Sequence, residues 1–60
     1  MRIKEFRVKQ NMSQIKLAKK ADIKQQRLSH WEVGRREMSV KNAKKIAEIL
    51  KVANWWELYE

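Results

Sequence analysis

Residues 13–34 read SQIKLAKKADIKQQRLSHWEVG, and the spacing of their apolar side chains predicts two short helices joined by a tight turn. The first helix begins after Ser13, whose hydroxyl can accept a hydrogen bond from a free amide of the first turn. Met12 and Leu17 flank this cap at the spacing of a hydrophobic staple. Three residues then share an inner face that a second helix can approach closely: Leu17, Ala18 and Ala21.

The second helix of the pair is predicted from about Lys24 to Val33. Leu28 and Trp31 lie on one side of it, and four uncharged polar residues lie opposite: Gln25, Gln26, Ser29 and His30. Glutamine both donates and accepts hydrogen bonds, which suits the edge of an adenine in the major groove of DNA. The simpler interpretation is an ordinary solvated helix face.

The residues at the predicted helix ends favour a left-handed backbone. Asn11 ends a first helix that runs from Arg2 to Gln10, and Gly34 ends the third. Asp22 is expected to take a positive φ in the turn between the paired helices, because Asp tolerates that conformation better than most residues. The first helix has a narrow inner stripe: Ile3, Phe6, Arg7 and Gln10.

Two further helices are predicted after the central stretch. Ser39 caps a fourth helix, which has the cleanest apolar stripe in the chain, formed by Val40, Ala43, Ile46, Ala47 and Leu50. Asn54 and Glu57 have the spacing of a capping box and open a short last helix. Its large aromatic residues either close a small core or form an apolar contact with a second copy or another protein: Trp55, Trp56 and Tyr59.

The net charge of +8 indicates a polyanionic partner. Residues 1–45 carry 14 Lys or Arg against 4 Asp or Glu, whereas residues 46–60 carry 1 against 3, so the two parts have different roles. The basic loop after Gly34 and the start of the fourth helix are suited to binding phosphate groups. The candidate phosphate-binding residues are Lys24, Arg27, Arg35, Arg36, Lys41 and Asn42.

The 60 residues predict one small domain, residues 1–60, without room for a large catalytic cleft. The chain has no Cys and one His, so neither a metal site nor a disulfide framework is expected, and no cofactor is expected. An enzyme is not expected, because Ser, His and the acids form no nucleophile and base arrangement. No apolar run approaches a membrane span of about 18 residues, so the expected location is cytoplasmic. Bacterial or phage origin and association with the nucleoid are implied only by the family resemblance described next.

From Ile3 to Tyr59 the sequence resembles the helix-turn-helix domains of the phage repressor and Cro type. The residues that carry the resemblance are Ser13-Gln14, Leu17-Ala18, Ile23, Leu28, Trp31-Glu32, Gly34 and Ser39. It implies an all-α, compact, lambda-repressor-like fold of five helices, with the motif at helices 2 and 3 and with helix 3 in the major groove. It also implies that Gln14 holds a phosphate and braces Gln25, and that Gln25, Gln26 and His30 touch base edges.

The resemblance further implies an ion pair between Arg7 and Glu32 that ties helix 1 to helix 3. The residues themselves favour this pair, because both lie on or beside inward faces where a charge needs a partner. Ile15 replaces a usually polar residue of the family, and the ending Ala53-Asn54-Trp55-Trp56 aligns only with a one-residue shift. Three further positions depart from the family pattern. Asn11 and Asp22 replace glycines, and Lys24 replaces the usual Ser or Thr cap.

Together these features favour a sequence-specific regulator of transcription that binds double-stranded DNA. We expect a repressor that acts as a homodimer on a near-palindromic operator by blocking polymerase, without a small-molecule ligand. The alternative is an antitoxin or adaptor that holds a protein partner through its aromatic C-terminus and autoregulates its own operator. A third hypothesis is binding to nucleic acid or anionic membrane through charge alone, which the inward apolar stripes disfavour.

Overall fold

The computed structural model describes all 60 residues and contains four α-helices followed by one 3-10 helix. The helices are α1 (Ile3–Lys9), α2 (Gln14–Ala21), α3 (Gln25–Glu32), α4 (Val40–Ile49) and the 3-10 helix (Trp55–Tyr59). The predicted all-α fold and the order of its helices are confirmed. The fifth helix differs from the family expectation, because its N–H groups bond three residues back, as Glu57 does to Asn54 at 3.0 Å. This pattern is typical of a single short turn.

Serine side chains cap two of the α-helices, as predicted. The Lys16 N–H donates to Ser13 Oγ at 3.0 Å, and the Asn42 N–H donates to Ser39 Oγ at 3.3 Å. Each bond satisfies a first-turn amide that has no partner within its own helix. Lys24 precedes α3 without a side-chain cap, so the first turn of α3 receives no such bond.

An apolar residue stands immediately before each serine cap and is buried. Met12 before α2 is 8% exposed, and Met38 before α4 is 4% exposed. The residues four positions after the two caps, Leu17 and Ala43, are buried in the same core. The staple positions predicted at α2 are therefore both inside, and the same pattern recurs at α4, where it was not predicted.

All four α-helices end with the same backbone closure. One residue takes the left-handed conformation, and the next N–H donates to the carbonyl five residues back, as in a Schellman motif. These four bonds measure 2.8 to 3.1 Å and join Met12 to Arg7, Ile23 to Ala18, Arg35 to His30 and Val52 to Ala47. The left-handed residues are Asn11 (φ 53°), Asp22 (56°), Gly34 (78°) and Lys51 (57°). The first three are predicted by the sequence, whereas Lys51 was missed.

Replacing Lys51 with glycine is expected to raise the free energy of unfolding by about 0.5 to 1 kcal/mol. A left-handed conformation costs a non-glycine residue about 1 to 2 kcal/mol, and the greater freedom of glycine in the unfolded chain offsets part of that gain. Urea unfolding measures the change, with Lys44→Gly inside α4 as the control that should lose about 1 kcal/mol. A lower unfolding midpoint for Lys51→Gly would show that residue 51 is not left-handed.

Thirteen apolar residues form one buried core. Leu28 and Trp31 belong to it, as predicted, and so do four of the five residues in the predicted stripe of α4. Val40 is the exception, because it is 46% exposed. At about 100° per residue, Val40 points about 70° away from the mean direction of the other four. Its place in the predicted stripe was therefore wrong, and Met38 is buried instead.

The packing of the helices leaves one side of α3 uncovered. Helix α2 packs against α3 and α4, α1 packs against α3, and the 3-10 helix packs against α4. The Arg2 N–H donates to the Leu58 carbonyl at 2.8 Å, and the Gln10 side chain donates to the Leu50 carbonyl. These bonds tie the start of the chain to its end. None of the helices combines the length and the apolarity that a membrane span requires.

Candidate nucleic-acid interface

Helix α3 has one buried side and one polar side. Leu28 is 0% exposed and Trp31 is 3% exposed, so both point into the core. The four uncharged polar residues lie on the other side, Gln25 and Gln26 exposed and Ser29 and His30 half-buried. We call these four residues the polar face. They project from a helix whose position is set by the core, because the same turns that carry them also carry Leu28 and Trp31.

A chain of hydrogen bonds runs from α1 to the first residue of the polar face. Arg7 donates to the Glu32 carboxylate from Nε at 2.8 Å and from Nη2 at 3.1 Å, and it donates from Nη1 to the Met12 carbonyl at 2.9 Å. Gln14 Nε2 donates to Glu32 Oε1 at 3.1 Å, and Gln25 Nε2 donates to Gln14 Oε1 at 3.2 Å. The exposed side-chain amide of Gln25 is thus connected to a charge pair between helices.

The Glu32 carboxylate is the acceptor at the centre of this chain, and it determines which group of Gln14 and which group of Gln25 must donate. An ionised carboxylate only accepts, so Glu32 requires Gln14 to present its NH₂ group inward and its oxygen outward. That oxygen in turn requires a donor from Gln25. Gln25 therefore keeps one N–H and its own Oε1 free, which is one donor and one acceptor side by side.

A cleft of about 350 Å³ opens beside the polar face. Seven residues line it: Lys24, Gln26, Arg27, His30, Trp31, Arg36 and Glu37. It brings two candidate base-reading residues together with three candidate phosphate-binding cations. Glu37 is the one acid among them, and no feature of the sequence placed it there. The net positive charge of the cleft suits a polyanion.

Arg27 lies against the ring of Trp31. The guanidinium carbon is 5.6 Å from the ring centre, a cation–π contact between residues one helical turn apart. Arg27 is otherwise exposed, so the side of its guanidinium that faces away from the ring stays available to an anion. Trp31 therefore contributes to the cleft as well as to the core. The sequence pattern identified only its core role, although the spacing from Arg27 was a signal for the second.

The remaining candidate phosphate-binding residues lie outside the cleft. Arg35 is exposed in the loop after α3, and Lys41 is exposed on the first turn of α4. Asn42 is half-buried, and its N–H is held by Ser39. The first-turn amides that stay free for an anion at the start of α4 are therefore those of Val40 and Lys41.

The aromatic residues at the C-terminus are stacked edge to face. Trp55 is half-buried, Trp56 is 51% exposed and Tyr59 is 38% exposed, and we call the three the aromatic surface. The ring centres of Trp55 and Trp56 are 5.6 Å apart, and those of Trp55 and Tyr59 are 6.0 Å apart. Leu58 is 0% exposed. The apolar residue that the 3-10 helix buries fully is thus Leu58, which leaves much of Trp56 in solvent.

Tyr59 also makes a polar contact that the sequence did not predict. Its hydroxyl donates to the Met38 carbonyl, in the segment just before α4. Burial raises the pKa of the Tyr59 phenol, and the charge of Glu37 raises this pKa further. The hydroxyl is thus directed at the segment between α3 and α4.

One protein family matches most of the chain. The family model described as Helix-turn-helix matches residues 3–53, which include all four α-helices and the polar face. No curated protein and no solved structure matches the chain. The family match ends before Trp55, so the aromatic surface lies outside the matched residues.

Proposed function

The chain belongs to the helix-turn-helix family of DNA-binding domains, of the phage repressor and Cro type, and is a DNA-binding regulator of transcription. From this premise we propose that it recognises one operator sequence in double-stranded DNA and represses transcription there as a homodimer. The observation that carries the proposal is the polar face of α3, in which Gln14 holds the Gln25 amide in one orientation.

Gln25 is the proposed reader of an adenine. In the major groove adenine presents the N7 acceptor next to the N6 amino donor, and the free N–H and Oε1 of Gln25 complement this pair. Gln26, Ser29 and His30 follow along the same helix, and we assign them to the neighbouring bases. All four have side chains whose hydrogen-bonding groups can match base edges, so we assign them to reading the base sequence, and assign attraction to the backbone to the surrounding cations.

The cations around the polar face are the proposed phosphate contacts. They are Lys24, Arg27, Arg35, Arg36 and Lys41, with Gln14 and Asn42 as neutral donors. Contacts to phosphates set the position of the helix on the duplex and carry no sequence information of their own. The distribution of charge supports this division, because residues 46–60 carry one Lys against three Glu, whereas all of these cations lie in residues 1–45.

Replacing Arg36 with alanine is expected to weaken binding to all duplexes alike. The loss of one phosphate contact should lower the slope of log K against log salt by about one unit. A salt titration with the preferred duplex and with a scrambled one measures this slope. Lys51→Ala is the control, since Lys51 lies in the acidic C-terminal part and the slope should not change. A selective loss on the preferred duplex would instead make Arg36 a base contact.

The aromatic surface is the proposed contact between two copies. Trp56 is 51% exposed and Tyr59 is 38% exposed, and both rings lie against Trp55, so the exposed aromatic area is contiguous. A two-fold contact of this kind would place two α3 helices on successive turns of the major groove, about 34 Å apart. A dimer held at both half-sites would then exclude polymerase from the promoter.

Selection of duplexes from a random library tests this proposal. We expect the recovered sites to share a near-palindromic sequence whose two halves are centred about one helical turn apart. Gel shifts should then separate the selected duplex from a random one by about 10³-fold or more. Recovery of unrelated sequences, bound equally well, would leave a DNA-binding domain without the proposed specificity.

A second candidate function uses the same aromatic surface for a different protein. In this hypothesis the chain is an antitoxin or adaptor that represses its own operator while Trp55 and Trp56 hold a partner. The exposure of Trp56 favours it as much as it favours a dimer. Co-purification of a stoichiometric partner with the wild type, and not with the Trp55→Ala, Trp56→Ala variant, would support it. A symmetric dimer without any partner would support the homodimer.

A further inference from the structure

The segment between α3 and α4, residues 33–39, is held at its two ends. At its start, the Gly34 N–H donates to the Trp31 carbonyl at 3.2 Å, and the Arg35 N–H donates to the His30 carbonyl at 2.9 Å. At its end, the Met38 side chain is buried. Arg36 lies between these points, is exposed, and has no hydrogen bond to the rest of the protein. The position of Arg36 therefore depends on how firmly the end of the segment is fixed.

A side chain from the far end of the chain reaches this point. The Tyr59 hydroxyl donates to the Met38 carbonyl, across 21 residues of sequence. The Tyr59 ring packs edge to face on Trp55, with centres 6.0 Å apart, and the nearby Leu58 is fully buried. The donor is thus carried by an element that is itself fixed on α4. It is the one side-chain hydrogen bond made to this segment from outside helices α3 and α4.

We infer that Tyr59 is a positioning residue for DNA binding, because its hydroxyl fixes the Met38 carbonyl and thereby holds Arg36 at the cleft. This inference rests on the proposed function, in which Arg36 contacts a phosphate. Without the bond, the segment would have to be ordered when DNA binds, and ordering lowers the affinity. Tyr59 itself touches no DNA in this scheme. It acts through Arg36, and it gives the aromatic surface a direct connection to the basic cleft.

The Tyr59→Phe variant removes the hydroxyl and keeps the ring. We expect the ¹⁵N order parameters of residues 36–38 to fall from about 0.85, the range of a rigid backbone, toward about 0.6 or below, with little change elsewhere. The affinity for the selected duplex should fall about three- to tenfold, the range of one neutral hydrogen bond. Ala53→Ser, an exposed and uncharged change just before the 3-10 helix, is the control and should change neither quantity.

A double-mutant cycle separates positioning from a general loss of structure. If Tyr59 acts through Arg36, then Tyr59→Phe should weaken binding clearly in the wild type and hardly at all in the Arg36→Ala background. Equal losses in both backgrounds would overturn the inference, and so would unchanged order parameters in residues 36–38. A wild type that binds all duplexes alike would contradict the proposed operator specificity only, since the order parameters need no DNA and the cycle can be measured on any duplex.

The position of the phenol can be checked separately, because Tyr59 is the only tyrosine in the chain. Its pKa is raised by burial and by Glu37. The absorbance of tyrosinate should therefore appear at a higher pH than for free tyrosine, and Glu37→Gln should lower the midpoint. An ordinary midpoint that Glu37→Gln does not move would show that the hydroxyl is not at the segment, and would overturn the inference.

Discussion

Replacing Arg7 with alanine is expected to lower the free energy of unfolding by about 3 to 5 kcal/mol. The Arg7 side chain is 12% exposed and Glu32 is 4% exposed, so the charges of this pair are largely removed from water. Without Arg7, the Glu32 carboxylate would stay buried with Gln14 as its only side-chain donor. The Met12 carbonyl would also lose a donor. Such losses are large for a domain of this length, whose total stability is about 3 to 9 kcal/mol.

Urea unfolding of the variant measures this effect, and a second ion pair in α1 supplies the control. Arg2 and Glu5 are 2.7 Å apart, but their side chains are 33% and 46% exposed. Glu5→Gln should therefore lower the free energy of unfolding far less than Arg7→Ala does. Arg7→Lys keeps the charge but not the paired N–H groups. Its loss in the free energy of unfolding should therefore lie between those of Arg7→Ala and Glu5→Gln. If Arg7→Ala lost no more than Glu5→Gln, the pair with Glu32 would be a solvated contact.

Replacing Gln25 with alanine is expected to weaken binding to the selected duplex by about 1 to 3 kcal/mol and to relax its preference at one base pair. The reason is that Gln25 alone offers a donor and an acceptor already oriented by the protein. Gln14→Ala should lower the affinity less than Gln25→Ala does, but it should weaken the preference at the same base pair. Without Gln14, the Gln25 amide can exchange the positions of its N–H₂ group and its oxygen. The fold should tolerate both changes, since Gln25 is exposed and Gln14 is half-buried.

A panel of duplexes, each with one base pair changed, distinguishes this prediction from a general loss of affinity. For Gln25→Ala, the base-pair change at one position should no longer lower the affinity, whereas changes at the other positions should lower it as they do for the wild type. Arg36→Ala is the contrasting variant, because it should weaken every member of the panel by a similar factor. A panel that shifts uniformly with Gln25→Ala would assign Gln25 to the phosphates and leave base reading to other residues.

Much of the backbone could be predicted because the beginnings and ends of the helices are set by side chains that lie near them in the sequence. Ser13 and Ser39 accept bonds from amides near them in sequence, and Asn11, Asp22 and Gly34 tolerate a positive φ. A helix end is missed where its residue has no preference for a cap or for a positive φ. Lys51 is left-handed because the closure after α4 requires it, and lysine has no preference for that conformation.

The sequence predicted which side chains of the candidate site face outward, but it did not predict all the contacts that hold them. Periodicity alone placed Leu28 and Trp31 inside and the polar face outside. The pair of Arg7 and Glu32 was expected from the family resemblance and favoured by the inward positions of both residues, which lie 25 residues apart. The resemblance also implied that Gln14 braces Gln25, whereas the bond from Gln14 to Glu32 was not predicted. The bond from Tyr59 to Met38 and the place of Glu37 in the cleft depend on how the 3-10 helix and the loop pack. No local pattern in the sequence predicts how these segments pack.

The chain of hydrogen bonds also bears on how this protein could acquire new targets. It ends at Gln25, whereas Gln26, Ser29 and His30 make no side-chain hydrogen bond to the protein. Evolution, or a designer, could therefore exchange these three residues without disturbing the scaffold that supports them. Gln25 is harder to change, because a replacement must still suit Gln14. Divergence of operator preference among descendants of this protein should thus begin at positions 26, 29 and 30.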